Sequence, residues 1–135
     1  MMIDENNYKD FMSDTTMICS HSNITEIRYL PDGLETLYCH HNQLTSLPEL
    51  PNSLETLYCH GNQLTSLPDL PDSLEILYCD NNQLTSLPEL PSSLALLFCS
   101  GNRLPINGSF YNKEEINEFK IRLDKIIKLE EFLVD

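Results

Sequence analysis

The sequence predicts an α/β-type repeat solenoid, a stack of short coils that ends in a helix. The first observation is a unit that recurs every 20 residues, with near-identical copies at 33–52, 53–72 and 73–92. The second is that a further copy begins at 93–104 and a diverged one occupies 13–32. Self-similarity at a short fixed period is the signature of a solenoid, because one unit cannot bury its apolar side chains alone.

The period divides the chain into three segments. Residues 1–12 form an N-terminal cap or a flexible segment, residues 13–105 form five repeats, and residues 106–135 form a linker and a helix. In the first segment a few apolar residues permit one or two helical turns over the first edge of the stack. If those turns do not form, the first strand has an open edge, which invites pairing with another chain.

Each repeat begins with a short predicted strand, followed by a bend and an extended return. In the central copy Thr56 to His60 alternates in polarity, so Leu57 and Cys59 point to the core and their neighbours point away. Asn62 closes the bend, where its side-chain amide can bond backbone groups that have no ladder partner. The return, Leu64 to Pro71, is too rich in proline for a helix.

The last segment predicts an amphipathic helix of about 20 residues. Asn112 and Glu115 have the spacing of a capping box, with asparagine as the cap. Apolar residues then recur at helical spacing, namely Ile116, Phe119, Leu123, Ile126, Ile127, Leu129, Phe132 and Leu133. We expect this helix to cover the last coil; the alternative is a docking or dimerisation helix.

The net charge of the chain limits the kinds of partner that it can bind. The net charge is −13, and residues 13–102 hold 11 acidic residues against one basic residue, Arg28. Such a field repels phosphate, so we expect no nucleic acid and no membrane as partner, and favour a protein with a basic surface. The alternative is that the acid only keeps the solenoid soluble.

Cysteine usage and the N-terminal residues bear on the compartment. The chain starts without the basic and apolar regions of a secretory signal, and it holds an odd number of cysteines, five. Free thiols are typical of reducing compartments. We therefore expect a cytoplasmic protein, either in the cell that makes it or in a host cell.

The repeat unit LxxLxCxxNxLTxLPxLPxx resembles the short bacterial type of leucine-rich repeat, found in the YopM/IpaH class of effectors, and comparable giant-virus proteins. The specific part is the LPxLP signature at Leu47–Pro51, Leu67–Pro71 and Leu87–Pro91. The resemblance implies a leucine-rich repeat fold with short parallel strands on a concave face, extended convex backs and protein binding. Some relatives carry a ubiquitin-ligase domain with a Cys-x-Asp nucleophile. No cysteine here has that motif and the tail is short, so we expect no catalytic residue and no enzyme.

Cysteine and histidine stand next to each other in two repeats, at Cys39-His40 and Cys59-His60. Because side chains alternate along a strand, the two members of each pair face opposite ways and cannot ligate one metal ion. We expect the cysteines to pack as small apolar groups in the core. On the other face His40, His60 and Asp80 form one column. A zinc site there is the weaker interpretation, and we expect no metal or cofactor but a pH response of partner binding.

The residues that predict binding each precede a strand cysteine by one position. Aromatic side chains recur at Tyr38, Tyr58, Tyr78 and Phe98, flanked by Thr36, Thr56, Ile76 and Leu96, with Glu35, Glu55 and Glu75 beyond them. Aromatic anchors are enriched in interface hot spots, and carboxylates beside them favour a partner with lysine or arginine. The alternative is that repetition copied these aromatic residues and they only cover the sheet.

These observations predict a non-enzymatic protein–protein interaction module that binds a basic or extended protein segment on its concave face. The alternative is a structural, self-assembling repeat protein. A third hypothesis is the substrate-recognition part of an effector. We expect a monomer, with a dimer as the alternative.

Overall fold

The computed structural model describes residues 1–133 and confirms the predicted solenoid of stacked coils with one C-terminal helix. The main sheet has the order β2-β3-β5-β6-β7-β8-β9, and β1 pairs with β4 in a separate two-stranded sheet. The strands are β1 (Met2–Ile3), β2 (Met12–Ser13), β3 (Thr16–Ile18), β4 (Glu26–Ile27), β5 (Thr36–Tyr38), β6 (Thr56–Tyr58), β7 (Ile76–Tyr78), β8 (Leu96–Phe98) and β9 (Ser109–Phe110), and the helix is α1 (Lys113–Leu133).

The strands of successive coils are parallel and in register with the 20-residue period. Leu37 pairs with Leu57, Leu57 with Leu77, and Leu77 with Leu97. A shift of one residue would turn every apolar side chain to the solvent face, so the buried leucine column fixes this register. Equivalent residues of successive repeats therefore form straight columns across the sheet.

The core is a continuous stack of leucines and cysteines between the sheet and the extended backs. The strand leucines and all five cysteines are buried, and the cysteines are free thiols, as the alternation predicted. Burial raises the pKa of the Cys19 thiol to about 12 and that of Cys99 to about 11. These thiols are packing groups and poor nucleophiles.

Buried asparagines join each coil to its neighbour at the bend, which confirms the predicted role of Asn62. The Asn62 amide nitrogen donates to the carbonyl oxygens of Cys39 and Cys59, at 3.1 Å each. Its side-chain oxygen accepts the backbone N–H of Leu44 at 3.0 Å. Asn42, Asn82 and Asn102 make the equivalent bonds in their own coils.

The N-terminal segment covers the first coil with strands as well as a helical turn. β1 runs parallel to β4, and Ile3 is fully buried. The helical part is a single 3-10 turn at Tyr8–Phe11, and β2 then pairs antiparallel with β3. The sequence pattern missed both strands because two residues are too few to show alternation.

At the other end β9 adds an antiparallel strand to β8, and α1 follows it. The Asn112 side-chain oxygen accepts the N–H of Glu115 at 2.8 Å, while the Glu115 carboxylate accepts from Tyr111 rather than from the cap residue. Ile116 and Phe119 are buried, and the Phe119 ring stacks on Phe110 at 4.4 Å.

Only the first half of α1 forms the predicted cover over the last coil. Leu129, Phe132 and Leu133 are exposed by 61%, 78% and 77%. The reason is length, since a helix of 21 residues extends about 30 Å and reaches well past one coil. Residues 134 and 135 of the predicted cap segment lie outside the described residues.

Candidate interaction face

The alternation of each strand places one set of side chains on the exposed face of the sheet. In β6 Leu57 is buried, whereas Thr56 and Tyr58 point the other way and are partly exposed. The same pattern holds in β5, β7 and β8, so Thr36, Ile76 and Leu96 share this face. We call it the concave face, following the resemblance described above.

An aromatic row crosses this face, formed by Tyr38, Tyr58, Tyr78, Phe98 and Tyr111. The ring centroids of Tyr38 and Tyr58 are 4.8 Å apart, and those of Tyr58 and Tyr78 are 4.3 Å apart in a parallel stack. Phe98 lies edge-on to Tyr78 at 4.3 Å, and Tyr111 lies edge-on to Phe98 at 5.4 Å. Tyr111, which follows β9 and is 64% exposed, was not predicted from the sequence. The row is thus one continuous surface along the solenoid.

Beside the aromatic row lies a histidine cluster, formed by His21, His40, His41 and His60. The rings of His40 and His60 are stacked at 4.5 Å, and those of His21 and His41 at 4.6 Å. The two stacks touch edge to face, with His40 5.5 Å from His21 and His41 5.1 Å from His60. The predicted column of His40 and His60 is therefore joined by two histidines that the sequence analysis did not assign.

The packing of the cluster keeps its inner rings neutral. Burial, and then the neighbouring histidines, lower the pKa of His40 to about 4, and burial lowers the pKa of His60 against the opposing charge of Asp80. The Nδ1 atoms of His40 and His60 are buried without a hydrogen-bond partner in the described chain. No group of three or more histidine, cysteine, aspartate or glutamate side chains in residues 1–133 could hold a metal ion.

The backbone explains why His41 reaches the cluster. The residue before the asparagine of each bend has a positive φ, 55° at His41 and 67° at Gly61. A Cβ atom at Gly61 would lie 2.5 Å from the His41 ring, so the glycine leaves the space that this ring occupies. The repeat pattern does not predict this contact, because the contact requires a histidine in one coil and a glycine at the equivalent position of the next coil.

On the opposite side of the aromatic row lies a carboxylate row, formed by Glu35, Glu55 and Glu75. The Glu55 N–H donates to the Glu35 carbonyl oxygen and the Glu75 N–H to that of Glu55, at 2.8 Å each. All three side chains are exposed, and in residues 1–133 none has a lysine or arginine within ion-pair distance. The row is bounded by Thr15 and Ala95 in the flanking coils.

A second surface lies away from the predicted site. A groove of about 450 Å³ separates α1 from the back of the fourth coil, and Leu90, Ile121 and Ile127 line it. No predicted site residue borders this groove. In the described part of the chain, no helix is long and apolar enough to span a membrane.

The repeats match a known family model and resemble solved structures. Residues 32–72 and 52–92 match the family model of leucine-rich repeats in two copies. No curated protein matches the sequence at a significant level. The structure is similar to YopM from Yersinia enterocolitica, with a TM-score of 0.59 and 42% identity over 61% of this chain and 19% of that protein.

Two further solved structures are similar. A Shigella effector leucine-rich repeat domain superposes with a TM-score of 0.70 and 36% identity, over 78% of this chain and 49% of that domain. YopM from Yersinia pestis, a leucine-rich effector protein, gives a TM-score of 0.63 and 40% identity, over 65% of this chain and 26% of that protein. The chain thus spans no more than about half the length of these proteins. Residues 32–92 thus match the leucine-rich repeat model, and the stacked coils are similar to the repeats of these bacterial effector proteins.

Proposed function

We propose that this chain is a non-enzymatic protein-interaction module whose concave face binds a basic segment of a partner protein. Leucine-rich repeats typically serve as protein–protein interaction modules. The observation that carries the proposal is the unbroken aromatic row beside a carboxylate row that has no basic partner within residues 1–133. Lysine and arginine side chains can pair with the carboxylates, while their aliphatic stems pack along the apolar surface of the aromatic row.

The packing of the aromatic row favours binding over simple coverage of the sheet. The rings are held by their neighbours at 4.3 to 4.8 Å, so they are already ordered before a partner arrives. An ordered ring loses little conformational entropy on binding, which is one reason why aromatic side chains dominate interface hot spots. The neutral inner histidines add polar edges without positive charge that would repel a basic segment.

Two matched sets of variants test this function. The protein serves as bait in a cell lysate, and captured proteins are compared among variants. We expect Tyr58→Ala/Tyr78→Ala to lose its specific partners, while Thr65→Ala/Thr85→Ala, on the exposed back of the coils, keeps them. Equal capture by the two double variants would overturn the proposal.

The charge of the partner is tested in the same way. Glu35→Gln/Glu55→Gln/Glu75→Gln removes the carboxylate row, and Glu49→Gln/Asp69→Asn/Glu89→Gln removes three exposed acids from the back at the same spacing. Both triple variants have the same net charge. Only the first should release a basic partner, since the second leaves the concave face unchanged.

Self-assembly is the second candidate function, and the exposed end of α1 favours it. Phe132 and Leu133 are 78% and 77% exposed, which is typical of a surface that meets another chain. Light scattering of the reduced protein measures its mass in solution and tests this function. Assembly through this end would give an oligomer that the Phe132→Ser/Leu133→Ser variant no longer forms. A monomer in both proteins would exclude this function.

We also propose that the protein works in the cytoplasm, of the producing cell or of a host cell. Its five thiols are free and buried, which suits a reducing compartment. Localisation of a tagged chain in both cell types tests this.

A further inference from the structure

We infer that the partner segment is an amphipathic α-helix that lies across the strands, along the solenoid axis, with one basic side chain per turn on the flank that faces the carboxylate row. This inference rests on the proposed function and names the conformation of the segment. It comes from the spacing of the coils, the width of the face and the way polarity changes along it.

The spacing of the carboxylate row selects among chain conformations. Neighbouring strands lie about 4.8 Å apart, so Glu35 and Glu75 are separated by about 9.6 Å at the backbone. Two turns of an α-helix advance about 10.8 Å, which places cationic side chains at i, i+4 and i+7 within about 1 Å of the three carboxylates. Lysine and arginine side chains are flexible enough to absorb that difference.

Extended conformations fit the same row less well. Side chains on one face of a β-strand recur every 6.6 to 6.8 Å, so two intervals overshoot Glu75 by roughly 4 Å. In a polyproline helix, side chains on one flank recur every three residues, or about 9.3 Å. Two such side chains can meet Glu35 and Glu75, but none on that flank lies opposite Glu55. The middle carboxylate is therefore the residue that distinguishes a helix from the alternatives.

The width of the concave face also suits a helix. His40 lies five positions after Glu35, which corresponds to about 16 Å along an extended strand. A helix with its side chains is about 10 to 12 Å wide, so it can lie on the aromatic row between the carboxylate row and the histidine cluster. Its apolar face would then contact the tyrosines, and its basic flank would face the glutamates.

The orientation of the helix follows from a change in composition along the face. The first coils present Thr36 and Thr56 beside the aromatic row, whereas the last two present Ile76 and Leu96. The carboxylate row also ends before the fifth coil, at Ala95. The end of the partner helix over the fourth and fifth coils should therefore carry apolar residues, and its basic residues should lie over the second to fourth coils.

Three synthetic peptides of one composition test the inference. The first is a helical peptide with lysines at i, i+4 and i+7 beside a leucine and phenylalanine face, followed by an apolar turn. The second has the same residues with the lysines distributed around the helix. The third is the first sequence with two central residues as D-enantiomers, which breaks the helix without changing composition. Fluorescence anisotropy of labelled peptides gives the Kd of each.

We expect the first peptide to bind at least about tenfold more tightly than the other two. Glu55→Gln should weaken that peptide about as much as Glu35→Gln does, whereas Asp69→Asn on the back should leave its Kd unchanged. Equal binding of the three peptides, or no binding of the first at about 100 µM, would overturn the inference. If the peptides fail while lysate capture still depends on Tyr58 and Tyr78, the proposed function stands and only the helical partner is wrong.

Discussion

The asparagine column gives the sharpest test of how the coils are held together, and Asn62→Ala is the variant to measure. Asn62 is 8% exposed, and its side chain bonds four backbone groups of two successive coils, the longest bond being the one to the His60 carbonyl oxygen at 3.4 Å. The three carbonyl oxygens that it contacts each keep a donor, because Asn42 also donates to Cys39, Asn82 to Cys59 and the His41 N–H to His60. The group left without a partner is therefore the buried N–H of Leu44.

These losses can be converted into a free energy of unfolding. An unsatisfied buried N–H costs about 1 to 3 kcal/mol, and each of the two shorter hydrogen bonds lost to carbonyl oxygens contributes about 0.5 to 1.5 kcal/mol. We therefore expect Asn62→Ala to lower the free energy of unfolding by about 2 to 6 kcal/mol. Asn102→Ala should cost less, because its bonds lie at the partly exposed end of the stack.

Urea unfolding followed by circular dichroism measures these differences. Gln63→Ala is the matched control, since this neighbouring side chain is exposed, and it should change the free energy by less than about 0.5 kcal/mol. A loss below about 1 kcal/mol for Asn62→Ala, or an equal loss for Asn102→Ala, would refute the reasoning.

Three other predictions concern the histidines, the helix and the thiols. Because the folded-state pKa of His40 is lowered to about 4 from 6.5, the unfolded chain takes up protons first as the pH falls. The free energy of unfolding should thus drop by about 1 kcal/mol between about pH 6.5 and 5, allowing for solvent screening. Thermal melts at several pH values should show a weaker dependence of stability on pH in His40→Asn/His60→Asn. The same dependence in both proteins would contradict this prediction. Phe119→Ala removes a buried ring and should cost about 3 to 4 kcal/mol in urea unfolding, against less than about 0.5 for the exposed Phe132→Ala; similar losses would show that α1 does not cap the core. Mass spectrometry after iodoacetamide treatment should find all five thiols unmodified in the native protein and modified in urea, whereas rapid native labelling would exclude the buried column.

The repeat period made most of the fold predictable. Once the period is known, Leu57 and Cys59 must point to the core together with their equivalents, since any other register exposes the whole column. The bend was predictable too, because Asn62 supplies both a donor and acceptors where backbone groups lack partners. The capping half of α1 followed from helical spacing and the need to cover the last coil.

The parts that sequence did not predict depend on contacts between unlike residues. His21 and His41 join the histidine cluster because they lie past the strand end, where alternation no longer says which way a side chain points. Tyr111 extends the aromatic row through the short strand β9, which is too brief to show a pattern. Helical spacing also continues through Leu129 and Phe132, although the coil beneath α1 is too small to cover them.

The central claim, that the concave face is where a protein partner binds, is tested most directly by photo-cross-linking. A benzophenone amino acid is placed at position 58 in one protein and at position 65, on the back of the same coil, in another. We expect position 58 to cross-link one partner, with the adducts mapping to a basic segment of it, and position 65 to give none. Cross-links to that partner from position 65 alone, or equally from both positions, would contradict the claim.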